Sequence, residues 1–510
     1  MKTTGLQLLR SLAAVLVAFG AFLPANSPAH IGSLNVIFES HTPPVPVRVM
    51  IRPPGVVPGL AEIDVRVLTN GVQRVTVLPV HWRAGVTGAP PPDVAQPVAG
   101  ETNLFHAELW LMALGAYSVH VNLETATTTN KVIVPVNSLA TTRLDMSPAL
   151  GAILVGLGVM LFVLAVSIVT AGVRESVLPP DETPSSSRRW RGRAAGAGAV
   201  VLLALSLYGG HAWWDAEDRS YRNNRMHRPV ACDVQVRHDG AQRIASLNVL
   251  TNEARGSWPG LVPDHGKLMH VFMVREPELD VLAHVHPIRR THRLFEFAMP
   301  AIPEGDYRVY ADVTHENGAS QTLTALARVP DAGTTSAAED LAVLPDPDDS
   351  HFLGIPAKPT GAAASFEFAD GRKMTWERPE RLVAGREVSL RFHIRERDGS
   401  LTKLEPYMGM LGHAAIRRHD GAVFTHLHPA GSLSMAAQQV FQIRAGTNPP
   451  PRITPTMMEA LCQPPDGSGP QQPLAFPWEF PQPGNYRIWV QAKNGGAVQT
   501  AVFDADVAAE

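Results

Sequence analysis

The sequence predicts a mainly β fold of three immunoglobulin-like β-sandwich domains and two transmembrane helices. Short runs that alternate apolar and polar residues predict the strands, two long runs without charge predict the helices, and a repeated block predicts a duplicated domain. The 510 residues are too many for one ordinary domain, since domains average roughly 150 residues. A net charge of −3 gives no support for nucleic-acid binding, which usually requires a basic face.

The chain begins with a predicted secretory signal peptide, residues 1–29. Lys2 and Arg10 supply its positive charge, residues 12–22 are apolar, and small residues precede position 30. Cleavage after residue 29 leaves His30 at the new N-terminus, where its α-amine and ring can chelate Cu(II) together. His30 is therefore a candidate metal ligand. The histidines that could complete its site are His41, His81, His106 and His120.

Residues 30–145 are a predicted N-terminal β-sandwich domain. Apolar and polar residues alternate there in short runs, for example over 45–52, 61–68 and 117–123. Clusters of proline and glycine divide these runs. The pattern is typical of an antiparallel sandwich.

Two segments, residues 150–171 and 194–212, are predicted transmembrane helices. The first is a run of 22 residues without a charge. Such a run is long enough to span roughly 30 Å of hydrocarbon. The second has 19 residues and is less apolar because it contains His211 and several glycines. A buried helix of a soluble domain is the alternative interpretation of this second segment.

The loop between the two spans, residues 172–193, carries five arginines and is therefore predicted to be cytoplasmic. Trp213 and Trp214 follow the second span in the position of an outer interfacial belt. The sequence thus predicts a two-pass protein of the cell membrane. Its domains, including everything after the second span, lie on the extracytoplasmic (periplasmic) side.

Residues 213–330 and 361–510 resemble each other and are separated by a predicted linker, residues 331–360, which contains several prolines and aspartates. Three blocks recur in the same order, although the second copy inserts a Pro-rich loop before its last block. We interpret them as two diverged copies of one β-sandwich unit, repeat 1 and repeat 2. The blocks are Leu268-Met269-His270, Ala283-His284-Val285-His286-Pro287 and Gly305-Asp306-Tyr307 in repeat 1, and Leu411-Gly412-His413, Thr425-His426-Leu427-His428-Pro429 and Gly484-Asn485-Tyr486 in repeat 2.

The histidines of repeat 2 fall on one face of a predicted hairpin. Asp420-Gly421 favours a two-residue type I′ turn. His413 and His428 are equally distant from this turn, so they stand opposite each other on the two strands. His426 is two residues from His428 and therefore shares its face. Imidazoles at such spacing can converge on one ion, because the Cβ atoms of opposite residues lie roughly 5 Å apart.

Repeat 1 reaches the same arrangement through a different predicted turn. His270 and His286 are equally distant from Glu278, which favours a three-residue loop over residues 277–279. His284 again joins them on the same face. The six histidines His270, His284, His286, His413, His426 and His428 are therefore candidate metal ligands. Histidines that only hydrogen-bond across a strand pair are the structural alternative, and the two sets could be independent or could share one ion.

Three imidazoles suit both zinc and copper. Copper is favoured by nearby methionines, namely Met269 and Met273 in repeat 1 and Met408 and Met410 in repeat 2. All four lie an odd number of residues from His270 or His413, which on a regular strand places them on the opposite face, where methionine fills the core. The inserted loop holds another soft cluster, Met457, Met458 and Cys462.

The chain has two cysteines, Cys232 and Cys462, which exclude a disulfide-rich scaffold and a zinc site built from several cysteines. They lie in different predicted domains. An oxidising compartment would permit them to pair, and two separate buried thiols fit the sequence equally well.

These motifs carry a resemblance to bacterial envelope proteins associated with copper. The N-terminal domain, with its potential mature His30, resembles the CopC-like periplasmic copper carriers. Its segment Gly115-Ala116-Tyr117-Ser118-Val119-His120-Val121 is similar to the YtkA-like sandwiches. The repeated Met-His and His-x-His-Pro blocks resemble a domain of exported proteins implicated in heavy-metal metabolism. The first domain departs from the CopC pattern because it lacks a Met-rich loop, which argues against a Cu(I) site there.

The function predicted is that of a membrane-anchored, extracytoplasmic protein that binds copper, or alternatively zinc, for buffering, delivery or resistance. A structural or scaffolding envelope protein whose sandwich domains bind another protein is the alternative. A metalloenzyme is disfavoured, because no paired carboxylate or nucleophile accompanies the histidines. The predicted partners are a metal ion, the lipid bilayer and another envelope protein, without nucleic acid.

Overall fold

The structure is a computed structural model in which the chain is mainly β, as predicted. It describes residues 35–40, 45–179, 181–240, 242–251, 258–331, 343–357, 364–446 and 472–510. The predicted signal peptide, His30, His41 and the soft cluster of Met457, Met458 and Cys462 lie outside these residues.

The N-terminal domain consists of two sheets around one apolar core. Its strands are β1 (Val36–Ser40), β2 (Val47–Arg52), β3 (Gly59–Val67), β4 (Val72–His81), β5 (Asp93–Val94), β6 (Gln96–Pro97), β7 (Leu104–Leu111), β8 (Gly115–Thr125) and β9 (Thr129–Ser138). They pair in the orders β1-β2-β3-β7-β6 and β5-β4-β8-β9. Strand β3 follows the predicted alternation, because Ala61, Ile63 and Val65 are fully buried while the residues between them are more exposed.

Two helices, α1 (Pro148–Glu175) and α2 (Ser186–Asn224), contain the predicted spans, and both are long and apolar enough to cross a membrane. They are longer than predicted, so the connection between them is shorter than residues 172–193. Helix α2 begins early because the Ser185 side chain accepts a hydrogen bond from the backbone N–H of Arg188. Most of the arginines assigned to the loop therefore lie in the first turns of α2.

The two helices pack against each other as an antiparallel pair through glycines of α2. A Cβ added at Gly196 would lie 2.4 Å from the Thr170 hydroxyl, and one at Gly192 would lie 3.1 Å from the Thr170 carbonyl oxygen. Small residues at such positions allow close approach of membrane helices.

Repeat 1 forms one ten-stranded sheet that closes around an apolar core. Its strands are β10 (Ala231–Asp239), β11 (Gln242–Leu250), β12 (Leu261–Val262), β13 (His270–Glu276), β14 (Val281–Val285), β15 (Ile288–Arg289), β16 (Leu294–Ala298), β17 (Gly305–His315), β18 (Ser320–Val329) and β19 (Ser350–Leu353). The order is β15-β16-β11-β10-β18-β17-β13-β14-β19, with β12 beside β17. Among the residues that the structure describes, its two antiparallel halves are joined by the single parallel pair Ala231↔Thr324.

The segment predicted as a linker, residues 331–360, differs from that expectation. Strand β19 lies within it and pairs with β14 through four residue pairs, including His284↔Ser350. Proline and aspartate gave this segment the composition of a linker, but its residues 350–353 are paired in the sheet of repeat 1.

Repeat 2 has the same strand order in two sheets. Its elements are β20 (Ser365–Glu367), β21 (Lys373–Trp376), β22 (Leu382–Val383), β23 (Glu387–Arg395), β24 (His413–Arg418), β25 (Phe424–Leu427), α3 (Met435–Gly446), β26 (Leu474–Glu479), β27 (Gly484–Asn494) and β28 (Ala497–Ala508). The orders are β20-β21-β23-β26 and β22-β28-β27-β24-β25. The second corresponds to β18-β17-β13-β14 of repeat 1, which supports the interpretation of the two blocks as copies of one unit.

The two repeats face each other through these corresponding sheets. Phe272 and Tyr310 of repeat 1 share an apolar cluster with Phe424 and Trp489 of repeat 2. The rings of Tyr310 and Phe424 stack with their centroids 3.8 Å apart. The interface therefore buries one face of each histidine-bearing hairpin.

The N-terminal domain packs on both repeats. Asn137 Nδ2 donates to the backbone oxygen of Ser320 in repeat 1 at 2.6 Å, and Gln438 Nε2 of α3 donates to that of Ile133 at 2.9 Å. Arg52 also forms an ion pair with Glu479 of repeat 2 at 2.6 Å. Helix α3, in the insertion of repeat 2, thus lies at the junction of the three domains.

Candidate metal centre

The register of both hairpins is as predicted. In repeat 1, Phe272 pairs with His284, and in repeat 2, Ala415 pairs with His426. When this register is continued by two residues along both strands of repeat 1, His270 stands opposite His286. The same continuation in repeat 2 places His413 opposite His428, and their ring centroids lie 5.2 Å apart.

The loops that close the hairpins are longer than predicted. In repeat 2 the backbone N–H of Arg418 donates to the carbonyl of Val423 at 2.9 Å, so four residues rather than two form the loop. Gly421 has a φ of 76°, but Asp420 does not have the positive φ that a type I′ turn requires. Asp420 instead accepts a hydrogen bond from Ala422 N–H at 3.0 Å. In repeat 1 the last pair before the loop is Val274↔Leu282, so that loop also exceeds residues 277–279.

The six predicted histidines converge in a single buried cluster at the interface between the repeats. Each is at most 8% exposed. Ring centroids of His270 and His426 lie 5.3 Å apart, and those of His284 and His413 lie 6.4 Å apart. The sets are thus adjacent, because the histidine face of each hairpin is covered by the other repeat.

Group A comprises His270, His284 and His286 of repeat 1, whose potential ligand atoms lie within 4.8 Å of one another. One ring nitrogen of each is fixed by an oxygen. His270 Nε2 lies 3.1 Å from the carbonyl oxygen of Asp264, His284 Nδ1 lies 2.9 Å from Gln491 Oε1, and His286 Nδ1 lies 3.0 Å from Asp349 Oδ1. Such acceptors require an N–H on these atoms, so the opposite nitrogens carry lone pairs.

The lone-pair nitrogens of group A are spaced as metal ligands are. His270 Nδ1 and His284 Nε2 lie 3.3 Å apart. Two lone pairs at this distance repel each other unless a cation lies between them. Nitrogens bound to a tetrahedral ion at ~2.0 Å are themselves about 3.3 Å apart. His286 Nε2 is buried and has no hydrogen-bond partner. The residues of group A therefore fit a metal ion.

Group B comprises His413, His426 and His428 of repeat 2 together with His265, which the repeated blocks did not indicate. Ligand atoms of His265, His413 and His428 lie within 4.8 Å of one another. His265 belongs to repeat 1 and reaches across the interface, with its centroid 4.8 Å from that of His428. His426 lies between the two groups, 4.5 Å from His428 and 5.6 Å from His284 by ring centroid.

Each group is approached by a polar residue from the opposite repeat. Gln491, which pairs with His413 on β24, holds His284 of group A. Asp312, which pairs with His270 on β13, has Oδ2 3.7 Å from Nδ1 of His426 in group B. Both residues stand seven positions after the glycine of the Gly-x-Tyr block. That spacing is the signal by which the sequence would have revealed them.

Burial favours the neutral form of the six predicted histidines by lowering their pKa values. It lowers the pKa of His270 to about 4 and that of His428 to about 3. The pKa values of the other four predicted histidines are lowered well below the usual value by the same cause. Burial also raises the pKa of Asp312 to about 7. Neutral imidazoles have the lone pairs that metal binding requires.

The other candidate residues lie elsewhere. Met269 and Met273 are buried in the core of repeat 1, as strand parity indicates. His106 Nδ1 is 2.8 Å from Asp64, and His120 Nε2 is 3.1 Å from the Ser118 hydroxyl. His81 contacts the ring of Tyr117. Cys232 is buried in repeat 1, and burial raises the pKa of its thiol to about 12. Among the described residues, the N-terminal domain contributes to none of the potential metal groups.

A cavity of about 830 Å³ reaches the histidine cluster. Its walls come from β9 of the N-terminal domain, from residues 227–231 after α2 and from both repeats. His270, Asp312, His426 and His428 line it on the side of the cluster. The cavity thus connects the histidine cluster with the junction of the three domains.

The comparisons with known proteins bear mainly on the repeats. Residues 233–331 and 367–509 match a family described as a domain of unknown function (DUF8832). No curated protein matches the chain.

Similarity to solved structures is weak. Dimeric latent PorU from Porphyromonas gingivalis is 9% identical over 94% of this chain and 34% of its own, with a TM-score of 0.13. Escherichia coli alpha-2-macroglobulin activated by porcine elastase is 9% identical over 90% of this chain and 31% of its own, with a TM-score of 0.17. The chain spans about a third of the length of these proteins. This degree of similarity has no bearing on function.

Proposed function

We propose that this chain is a membrane-anchored metal-binding protein of the extracytoplasmic side, which binds copper for buffering, delivery or resistance through groups A and B. Zinc is the alternative ion, because imidazole suits both. The supporting observation is the convergence of seven histidines from two repeats in one buried cluster.

The unpartnered ring nitrogens argue for a ligand rather than for a purely structural role. Burying a polar group without a hydrogen bond costs about 1–3 kcal/mol. Seven nitrogens of the cluster are buried without a hydrogen-bond partner, namely one each of His265, His286 and His426 and both of His413 and His428. A structural network would satisfy these atoms internally. A bound ion uses the lone pair of one nitrogen in each ring and compensates the cost at that atom.

For the architecture, we propose that α1 and α2 span the membrane with the connection between them in the cytoplasm. The positive charge at the helix ends that flank this connection supports this orientation, and it comes from Arg174, Arg188, Arg189, Arg191 and Arg193. The three β domains, which we assign to the immunoglobulin-like class, then lie outside. The cavity beside group B offers an ion a path from the junction of the domains to the imidazoles.

Metal titration of the full chain in detergent micelles tests the proposal. We expect about two equivalents of copper, one for each group. His284→Ala and His426→Ala should each remove one of them, whereas His238→Ala, at an exposed position of β10, should remove none. A chain that binds no copper or zinc at micromolar concentration would overturn the proposal and favour a scaffolding protein.

A further inference from the structure

The turns that precede the two histidine hairpins have the same conformation. In repeat 1, Asp264 and Lys267 exchange backbone hydrogen bonds of 2.9 and 3.0 Å, and in repeat 2, Tyr407 and Met410 exchange bonds of 2.6 and 3.1 Å. The second residue of each turn has a positive φ, 50° at His265 and 49° at Met408. Each of these two residues stands five positions before the first histidine of its hairpin. Met408 is therefore the counterpart of His265.

This correspondence assigns Met408 to group A. His265 crosses the interface to the first and last histidines of repeat 2, with centroids 5.8 Å from His413 and 4.8 Å from His428. Under the same relation, we expect Met408 to face the first and last histidines of repeat 1. Tyr407, the residue before it, lies against this group, with its hydroxyl oxygen 3.3 Å from His284 Nδ1.

The surroundings of Met408 differ from those of a core methionine. Its exposed fraction is only 8%. Among the described residues, however, it belongs to none of the apolar clusters, whereas Met269 and Met273 are both part of the core of repeat 1. Because Met408 lies on a turn rather than a strand, the parity that sends the other methionines to the core does not apply to it.

The groups also differ in the side chain that reaches each of them from the opposite repeat. The residue that approaches from the opposite repeat is the neutral Gln491 in group A and the carboxylic acid Asp312 in group B. Asp312 and Gln491 each form a hydrogen bond with a threonine, since Thr322 donates to Asp312 at 2.5 Å and Gln491 donates to Thr500 at 3.3 Å. The surroundings of groups A and B therefore have the same backbone arrangement and differ in the side chains that it carries.

On the basis of the proposed function, we propose that the two groups select different ions. Group A, with three imidazoles and the thioether of Met408, prefers Cu(I), because soft sulfur ligands favour that ion. Group B, with His265 as a further imidazole and Asp312 beside it, prefers a divalent ion. The protein thus holds two inequivalent metal sites in one cluster.

The test measures two affinities on the full chain in detergent. Cu(I) is titrated anaerobically against the chromophoric chelator bicinchoninate, and Zn²⁺ is titrated calorimetrically as the divalent probe. Met408→Leu should weaken Cu(I) binding at least about tenfold, the loss expected even for a supporting residue of a metal site. It should leave the tighter Zn²⁺ step unchanged. Met410→Leu is the matched control and should change neither affinity.

His265→Ala should have the opposite effect, weakening the tighter Zn²⁺ step and sparing Cu(I). Met408→His, which makes group A resemble group B, should tighten the weaker Zn²⁺ step, and this gain is measurable even if the leucine variant misfolds. Unchanged Cu(I) affinity in Met408→Leu, or equal losses for both ions, would overturn the inference while leaving the proposed function intact. A wild-type chain that binds neither ion overturns both.

Discussion

Gln491 provides the sharpest test of how the opposite repeat prepares a metal site. Its Oε1 accepts from His284 Nδ1 at 2.9 Å, and its Nε2 donates to the hydroxyls of Ser350 at 2.8 Å and Thr500 at 3.3 Å. Gln491→Leu removes the acceptor while nearly preserving the volume of the side chain. His284 then has only the Tyr407 hydroxyl, at 3.3 Å, near its N–H.

The expected loss follows from two contributions. Residues that orient a ligating histidine typically account for 10- to 100-fold in metal affinity, which is about 1.4–2.7 kcal/mol. In the metal-free protein, the buried N–H of His284 with a weakened acceptor lowers the free energy of unfolding by about 1–3 kcal/mol. The loss of metal affinity and the loss of stability should appear together, because both result from the loss of the same hydrogen bond.

The assay is copper titration of the full chain together with thermal unfolding of the metal-free chain. Gln491→Glu is the matched control, since it keeps an acceptor for His284, so its copper affinity should stay within a few-fold of wild type. If Gln491→Leu binds copper as tightly as wild type, then His284 is not held for metal binding and our interpretation of group A is wrong.

Three further predictions address the rest of the cluster. Asp349→Ala should weaken copper binding about tenfold, because Asp349 fixes both Nδ1 and the backbone N–H of His286; titration with His238→Ala as control checks this. The metal-free protein should lose stability as pH falls from about 6.5 toward 4, because the pKa of His270 is about 4 in the folded chain and the unfolded chain therefore binds more protons. This histidine alone accounts for a loss of about 3 kcal/mol in the free energy of unfolding. Denaturant titrations that give the same free energy of unfolding at pH 7 and pH 5 would contradict this prediction. Arg487→Met should lower the free energy of unfolding by on the order of 3 kcal/mol and with it the melting temperature. The reason is that this buried guanidinium of repeat 2 donates to the carbonyl oxygens of Leu279 and Ile355 at 2.7 and 2.9 Å. An unchanged melting temperature would show that these hydrogen bonds make no net contribution to stability.

The register of the hairpins was predictable because it depends on local information. The alternation of strand side chains and the position of a turn together determine which residues stand opposite, and the repeat supplied two examples. The turn types were wrong, since Asp420 satisfies its loop through its own side chain. A loop of two residues and a loop of four residues centred on the same position give the same register. The wrong turn type therefore did not change which histidines were predicted to stand opposite each other.

The meeting of the two hairpins was not predictable from such information. Which face of a sheet packs on another domain is decided by tertiary contacts such as Tyr310 on Phe424. His265 was missed for the same reason, because it acts on the opposite repeat and precedes its own hairpin. Asp349 was missed because the composition of residues 331–360 is that of a linker, whereas β19, which follows Asp349 directly, pairs with β14 in the sheet.

The exchange of supporting residues between the repeats has an evolutionary consequence. Each half positions histidines of the other, which is the geometry of an isologous dimer, in which the same surface of two identical subunits is self-complementary. The arrangement is that expected of an ancestral homodimer whose two subunits became joined in one chain. In a homodimer every mutation occurs twice. After fusion, one half could acquire Asp312 and His265 while the other acquired Gln491 and Met408, so a symmetric site could become two different ones.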